Sequence, residues 1–261
     1  MKWRVSCLQS DIAFGHPEQN FIHFEKQIEK ATKEEKASVV VLPELWTTGY
    51  DLTNLDTLAD HDGQLTKSIL INWAKKYNVH LIGGSIAKAK QSGVYNTTYV
   101  VSSEGAIIHE YSKLHLFRLM DEHLYLQEGK DEALFTLDAE LCASFICYDL
   151  RFPEWIRKST TKGAKVLFFV AEWPAPRLHH WRSLLIARAI ENQCYVVACN
   201  RVGRDPNNVF AGHSMIVDPW GEVIAEGGNE EEIVTADINF DTVNSVRKQI
   251  PIFDDRRPSV Y

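Results

Sequence analysis

The stretch LCASFICYDLRFPE, residues 141–154, joins a strand pattern directly to a helix pattern. Leu141 to Ile146 is a short apolar run, which is typical of a strand covered on both faces. Residues 152–161 are predicted to form a helix. Cys147 lies where the strand ends and the helix begins, so we expect it at an exposed sheet edge, beside the free backbone N–H groups of a helix start.

Outward from this stretch, strand and helix patterns alternate along the chain. Helices are predicted from Pro17 onward and over 65–77 and 181–192. Strands are predicted over 3–9, 38–42, 79–83, 165–170, 194–200, 214–218 and 222–225, with a hairpin of 95–102 and 106–111. This alternation predicts mixed sheets with helices packed outside them. Because no linker or repeat interrupts it, residues 1–261 are predicted to form one domain.

Composition narrows the class of protein. The chain has 28 Lys and Arg against 35 Asp and Glu, a net charge of −7, which argues against a nucleic-acid binder. A hydrophobic content of 45% makes intrinsic disorder unexpected. The N-terminal residues lack the apolar core of an export signal, and no apolar run approaches the ~20 residues that span a bilayer. We expect neither export nor a membrane span.

The cysteines and histidines suggest neither disulfides nor a metal. Five cysteines without a C-x-x-C pair favour a reduced, cytoplasmic compartment. No zinc-ligand spacing occurs, so neither a metal nor a cofactor is expected. Four of the five cysteines lie inside apolar strands, where a structural role is favoured: Cys7, Cys142, Cys194 and Cys199. Cys147 differs, since a helix start lowers a thiol pKa and can hold an oxyanion, although a buried structural role stays open for it.

A thiol nucleophile needs a base, and two residue types could supply one. Histidine is the common partner, and His115 lies in a predicted loop. A buried carboxylate is the alternative, and Glu44 ends the apolar strand 38–42 at the edge where open α/β sheets place their sites. Lys113, after the hairpin, could lower a thiol pKa or hold an oxyanion. Glu122 lies in the long loop 113–132, whose length suggests a function. Singly, each charged residue is more typical of a solvated surface.

Together these segments form an ordered set of motifs: PEL at 43–45, TGY at 48–50, YSKLHLF at 111–117 and CYDLRFPE at 147–154. The set resembles the carbon–nitrogen hydrolase (nitrilase-like) superfamily over almost the whole chain. It continues through ARAIEN at 187–192, NRVG at 200–203, GHS at 212–214 and DPWG at 218–221. The resemblance implies an α/β fold, a four-layer αββα sandwich of two mixed β-sheets flanked by helices, and a Glu–Lys–Cys triad of Glu44, Lys113 and Cys147. It also implies a homodimer, formed through residues 181–192 and 245–261.

Within the superfamily the chain is most similar to the omega-amidases. CYDLRFP at 147–153, WPAPR at 173–177 and RKQIPIF at 247–253 carry this similarity. Omega-amidases hydrolyse the terminal amide of 2-oxoglutaramate and 2-oxosuccinamate, so a small-molecule amide is the expected substrate. The resemblance also implies a second glutamate near the triad. Glu122 fits, with Asp121 and Glu128 as competing candidates.

The resemblance further implies a mechanism and a pocket. Cys147 would attack the amide carbonyl, Glu44 would take and return protons, and Lys113 with the backbone N–H of Tyr148 would hold the oxyanion. The far carboxylate of the substrate needs a cation, with Arg118, Arg151 and Arg177 as candidates, although Arg151 could instead be a structural partner of a carboxylate such as Glu154. Phe117, Tyr148 and Trp173 could line the apolar part of the pocket or belong to the core.

Three alternatives stay open. The same triad serves N-carbamoyl amidohydrolases, aliphatic amidases and nitrilases. A protein that kept the fold as a binding module and lost the chemistry is less expected, since all three triad residues are present. A redox role for Cys147 would need a resolving cysteine, and Cys142, five residues back, should face the other side of its strand.

Overall fold

The strands of the computed structural model, which describes residues 2–260, form two mixed sheets. In chain order the strands are β1 Lys2–Gln9, β2 Val39–Val41, β3 Asp60–His61, β4 His80–Lys90, β5 Gly93–Val101, β6 Ile107–Ser112, β7 Leu134–Leu137, β8 Glu140–Ile146, β9 Val166–Ala171, β10 Tyr195–Asn200, β11 Met215–Val217, β12 Val223–Glu226 and β13 Glu232–Asn239. The first sheet has the order β13-β1-β2-β4-β5-β6, with β3 beside β4, and the second has the order β12-β11-β10-β9-β8-β7. In each sheet the central pairs are parallel and the outer pairs antiparallel.

Helices connect these strands. They are α1 Pro17–Lys33, α2 Leu55–Leu58, α3 Gln64–Tyr77, α4 Glu122–Tyr125, α5 Pro153–Thr160, α6 Leu178–Asn192 and α7 Phe240–Gln249. Short 3-10 turns cover Leu52–Asn54, Arg118–Met120, Cys147–Arg151 and Ala175–Arg177.

The two sheets pack face to face with helices on the outside. Alternate residues of β1, such as Val5 and Cys7, enter one core with residues of β8, β9 and β10. Leu8, the next residue along, points the other way into a second core with Phe24 of α1 and Trp73 of α3. Helix α6 covers the outer face of the second sheet through buried side chains such as Leu185. The predicted αββα sandwich is therefore confirmed.

The structure also contains elements that the sequence patterns did not predict. The predicted strand 79–83 is the start of the much longer β4, which turns directly into β5. Strand β13 was missed because Glu232 and Asp237 interrupt its apolar pattern, yet it pairs with β1 along all eight of its residues. Helix α7 follows it at once, capped by the Asn239 side chain. Within residues 2–260, no helix has both the length and the apolar character to cross a bilayer.

Candidate active site

Glu44 lies two residues beyond Leu42, just after β2, and its carboxylate is buried. The chain turns sharply here against Gly84, where a Cβ would lie 2.2 Å from the Pro43 carbonyl oxygen, so only glycine fits. Oε1 of Glu44 accepts three hydrogen bonds, from Lys113 Nζ at 2.8 Å, Asn96 Nδ2 at 2.8 Å and Tyr50 OH at 3.1 Å.

The other oxygen of Glu44 is less occupied. Oε2 accepts one hydrogen bond, from the backbone N–H of Glu172 at 2.9 Å. Because Oε1 already holds three donors, Oε2 is the oxygen with room for a further proton.

Lys113 bridges two buried carboxylates. It follows β6, and its Nζ donates to Glu44 Oε1 at 2.8 Å and to Glu122 Oε1 at 2.5 Å. Glu122 opens α4, and its second oxygen accepts the backbone N–H of Phe117 at 2.7 Å. The expectation for each charge taken singly, a solvated surface, is wrong for both residues, which are fully buried.

Glu44, Lys113 and Glu122 form a buried array, and the charge of each residue depends on the other two. Burial alone opposes the charge of Lys113, but Glu122 and Glu44 raise its pKa above the ordinary lysine value. Burial raises the pKa of Glu122 above its ordinary value, with Lys113 opposing and Glu44 adding to the shift. Lys113 is therefore a firmly protonated cation between two acidic groups.

Cys147 lies at a strained elbow immediately after β8. Its φ of 45° falls in the left-handed region, which non-glycine residues rarely adopt. Asp149, two residues on, holds the elbow through the Ile146 backbone N–H at 3.1 Å and the Tyr111 hydroxyl at 2.7 Å. Such strain is typical of functional sites, because the surrounding structure must enforce it.

The Cys147 thiol is protonated at rest. Burial raises its pKa well above the ordinary value, and Glu44 adds to the shift through its charge and a hydrogen bond, while Lys113 opposes it. The expectation that the helix start lowers this pKa is wrong, because the side chain is only 3% exposed and faces carboxylates. Attack by this thiol requires a base, and Glu44 is the carboxylate hydrogen-bonded to it.

His115, the other base considered, is engaged elsewhere. Its Nδ1 lies 2.7 Å from Asp149 Oδ1, and its ring stacks on Phe152 at 3.6 Å. It therefore supports the elbow from outside.

A narrow pocket leads to Cys147. It is lined by Phe117, Cys147, Tyr148, Arg151, Trp173, Pro174 and Arg177. The Arg151 guanidinium lies 4.8 Å from the Trp173 ring centroid, and that of Arg177 lies 5.4 Å from the Phe117 ring centroid. Within the described part of the chain, neither guanidinium forms a salt bridge, so the proposed Arg151–Glu154 pair is absent there. Two cations thus face a pocket whose other walls are mainly apolar.

Other sequence candidates lie outside this pocket. Arg118 lines a separate surface depression together with Glu128. Asp121 is the exposed residue before α4, with a left-handed φ of 57°. Of the three acidic candidates in this loop, only Glu122 touches Lys113.

Four residues of the site were not singled out from the sequence. Asn96 and Tyr50 contact Glu44 as described above, and Tyr50 also contacts Glu122. Glu172 follows β9 and is fully buried, with Oε2 2.5 Å from Nη1 of the buried Arg201. Tyr50 and Arg201 lie in the TGY and NRVG motifs and Glu172 follows a strand end, whereas Asn96 lies inside β5, where no sequence signal marks it.

Comparison with known proteins places this geometry in a family. The model of the carbon-nitrogen hydrolase family matches residues 4–248. The chain is 60% identical to a 2-oxoglutaramate amidase of Bacillus subtilis (strain 168), over the full length of both. It is 35% identical to the omega-amidase YafV of Escherichia coli (strain K12), covering 97% of this chain and 96% of that one.

A solved structure shows the same architecture. A CN-hydrolase superfamily protein from Xanthomonas campestris, with an arsenic adduct in its active site, superimposes with a TM-score of 0.92 at 30% identity, covering 98% of each chain. The family match, the relatives and the fold agree with one another. This chain belongs to the carbon-nitrogen hydrolase family.

Proposed function

We propose that this protein is a cysteine-dependent amidohydrolase that cleaves the terminal amide of a small 2-oxo acid amide, such as 2-oxoglutaramate or 2-oxosuccinamate. The observation that carries the chemistry is the Cys147 thiol facing the buried Glu44–Lys113–Glu122 array. The similarity to a 2-oxoglutaramate amidase carries the choice of substrate.

In the first half-reaction Cys147 becomes acylated. As Sγ attacks the amide carbonyl carbon, the thiol proton passes to Glu44, whose Oε2 has room for it. The oxyanion that forms is held by the Lys113 ammonium and the Tyr148 backbone N–H. When the C–N bond breaks, Glu44 returns the proton to nitrogen, and ammonia leaves a thioester on Cys147.

In the second half-reaction water replaces ammonia. Glu44 takes one proton from the attacking water, and the oxygen forms a new bond to the thioester carbon. Collapse of the tetrahedral intermediate breaks the C–S bond, and the proton on Glu44 restores the thiol. The acid product loses its own proton to solvent, so the cycle consumes one water and leaves the enzyme unchanged.

The pocket explains why the far end of the substrate would be an anion. Arg151 and Arg177 offer guanidinium groups that suit a carboxylate. Phe117, Tyr148 and Trp173 would cover the short carbon chain between the two ends. A neutral aliphatic amide would offer neither guanidinium group an anionic partner.

The proposal is tested by ammonia release from 2-oxoglutaramate, with Cys147→Ala in parallel and a panel of simple amides, nitriles and carbamoyl compounds. We expect release that is fastest with the 2-oxo acid amide and absent in Cys147→Ala. Turnover confined to a carbamoyl compound or a nitrile would support the catalytic role of the array but reject the 2-oxo acid amide as the substrate. Equal release of ammonia by Cys147→Ala would show that Cys147 is not the nucleophile.

The remaining proposals concern the whole protein. One domain over residues 1–261 is supported by a core shared between both sheets. A cytoplasmic location is supported by five free, buried cysteines. A homodimer is supported by exposed apolar residues on α6 and on the neighbouring β11–β12 hairpin, considered further in the Discussion.

A further inference from the structure

Tyr50 reaches the active site through a tight turn. The backbone N–H groups of Thr48 and Gly49 both donate to the Leu45 carbonyl oxygen, at 3.0 and 2.7 Å. Gly49 adopts a φ of 62°, which reverses the chain so that Tyr50 returns over Glu44. The Tyr50 side chain is buried as a result.

The Tyr50 hydroxyl lies between the two glutamates of the array. Its oxygen is 2.5 Å from Glu122 Oε1 and 3.1 Å from Glu44 Oε1. These are the same two oxygens that Lys113 contacts. One neutral donor, the Tyr50 hydroxyl, and one cation, the Lys113 ammonium, therefore bridge the two carboxylates. Because both carboxylates are buried, bulk water does not reach them to replace either group.

We propose that Tyr50 is a positioning residue for the general base: its hydroxyl, whose one proton is shared between the two Oε1 atoms, holds Glu44 and Glu122 side by side and favours the ionised form of the pair. This inference rests on the proposed function, because it assigns Glu44 the proton-transfer role. Tyr50 acts through the carboxylates and touches no reacting atom.

The electrostatics around Tyr50 support this role. Burial raises the pKa of the Tyr50 hydroxyl well above its ordinary value, and Glu122, Glu44, Cys147 and Glu172 add to the shift. The hydroxyl therefore stays protonated and remains a donor across the working pH range. A hydrogen bond to a carboxylate favours its charged form, whereas a neighbouring carboxylate disfavours it. Without the hydroxyl, Lys113 alone among the described residues would bridge the two carboxylates and offset their mutual repulsion.

The first test is Tyr50→Phe, which removes only the hydroxyl. We expect kcat to fall about 10- to 100-fold, as for loss of one hydrogen bond to a charged group, with KM changed less than about threefold. We also expect the acidic limb of the pH–rate profile to move up by roughly one pH unit, because Glu44 protonates more readily.

The matched control is Tyr99→Phe. Tyr99 is also buried, but within the described residues its hydroxyl has no hydrogen-bond partner and it lies outside the array. We expect this variant to keep the wild-type kcat and pH profile. Equal losses in the two variants, or an unshifted acidic limb in Tyr50→Phe, would overturn the inference.

A second variant keeps the side chain and changes only its acidity. Site-specific 3-fluorotyrosine at position 50 is a stronger donor of nearly the same size, so the acidic limb should move down in pH. This arm remains informative if Tyr50→Phe folds poorly. An upward shift or no shift would contradict the assignment.

A third measurement separates this inference from the choice of substrate. Alkylation of Cys147 by chloroacetamide requires removal of the thiol proton but no turnover. We expect its pH onset to move up in Tyr50→Phe and to stay unchanged in Tyr99→Phe. If the wild type released no ammonia from any amide, the proposed function would fail, but the pH dependence of alkylation would still test Tyr50. An unchanged pH onset of alkylation in Tyr50→Phe would reject the role of Tyr50.

Discussion

At the scale of single residues, the site concentrates charges that are usually kept in water. Glu44, Lys113, Glu122, Glu172 and Arg201 are all fully buried. Burying an ion costs several kcal/mol unless partners and hydrogen bonds compensate. Each cation here contacts at least one buried carboxylate at 2.5 Å, and that compensation holds the array in one arrangement.

Glu172 makes the stability depend on pH. Burial raises its pKa to about 8, although Arg201 opposes the shift. In the unfolded chain the same carboxyl titrates near 4.5, so the folded state holds the proton more tightly. This contribution to stability is complete below pH about 4.5 and is lost as the pH rises through about 8.

We therefore predict that Glu172→Gln gains stability relative to wild type as the pH rises. The amide cannot ionise, so the variant avoids the loss that the wild type suffers between pH 5 and about 9. Urea unfolding of both proteins at several pH values in this range measures the difference. Glu104→Gln, at the exposed turn before β6, is the control and should show no such trend. A difference for Glu172→Gln that does not change with pH would contradict the prediction.

The residue scale also shows what a sequence can predict about a site. Cys147, Glu44 and Lys113 were selected by the order of their motifs, since each alone has a more ordinary interpretation. Tyr50 lies in one of these motifs, but its contact with Glu122, 72 positions away, depends on the fold. Glu172 belongs to no such motif and Arg201 lies in the NRVG motif, but only the three-dimensional structure shows that the two are buried together.

At the scale of elements, the elbow after β8 decides where the thiol points. Cys147 adopts a left-handed φ, and the buried Asp149 compensates for this strain with several hydrogen bonds. Asp149 Oδ1 accepts the backbone N–H of His115 at 3.1 Å, in addition to the bonds described above. One carboxylate thus joins the elbow to the segment that carries Lys113.

We predict that Asp149→Ala lowers both stability and activity. The free energy of unfolding should fall by about 2–5 kcal/mol, because buried donors such as the Tyr111 hydroxyl lose their acceptor. The ammonia-release rate of the folded fraction should fall about 100-fold, since a displaced thiol no longer meets the carbonyl carbon. Thermal unfolding and single-turnover ammonia release measure the two effects.

The control for this variant is Glu154→Ala, on the exposed side of α5. A surface substitution of this kind should change stability by no more than about 0.5 kcal/mol. If Asp149→Ala kept the wild-type rate, the elbow would not depend on its carboxylate, and the strain at Cys147 would need another source.

Helices and strands could be predicted from the sequence where their buried face produces a clear apolar pattern. The helix beginning at Pro17 and the buried strands β8, β9 and β10 have clear apolar patterns, and the structure confirms them. Strand β13 lies at the edge of its sheet and carries charges on its open side, so its pattern is weak. Its pairing with β1, more than 220 residues earlier in the chain, is a tertiary effect that local patterns do not contain.

At the scale of the whole molecule, the site lies where strand ends from both sheets meet. Glu44 and Lys113 follow β2 and β6 of the first sheet, whereas Cys147 and Glu172 follow β8 and β9 of the second. The proposed base and the proposed nucleophile therefore come from different layers of the sandwich. Any change in how the two sheets pack would alter the distance between these two residues, so the shared core sets the geometry of the proposed site.

The outer face of α6 is the surface on which we expect a second copy to dock. Ile190 is 51% exposed there, and Trp220 and Ile224 are 44% and 41% exposed. The turn that carries Trp220 lies against α6, since a Cβ on Gly221 would be 2.4 Å from the Ile190 side chain. These apolar residues therefore form neighbouring parts of one surface, which is typical of an interface core.

We predict that wild-type protein sediments as a dimer at micromolar concentration and that Ile190→Lys weakens the dimer about 100-fold or more. A lysine in the centre of the interface would place an unpaired charge between two apolar surfaces. Ile22→Lys is the matched control, because Ile22 is also an exposed isoleucine, at 61%, but lies on α1 over the other sheet. Sedimentation velocity over a range of concentrations measures all three proteins. A wild type that stays monomeric, or a dimer that Ile22→Lys disrupts and Ile190→Lys does not, would place the interface elsewhere or remove it.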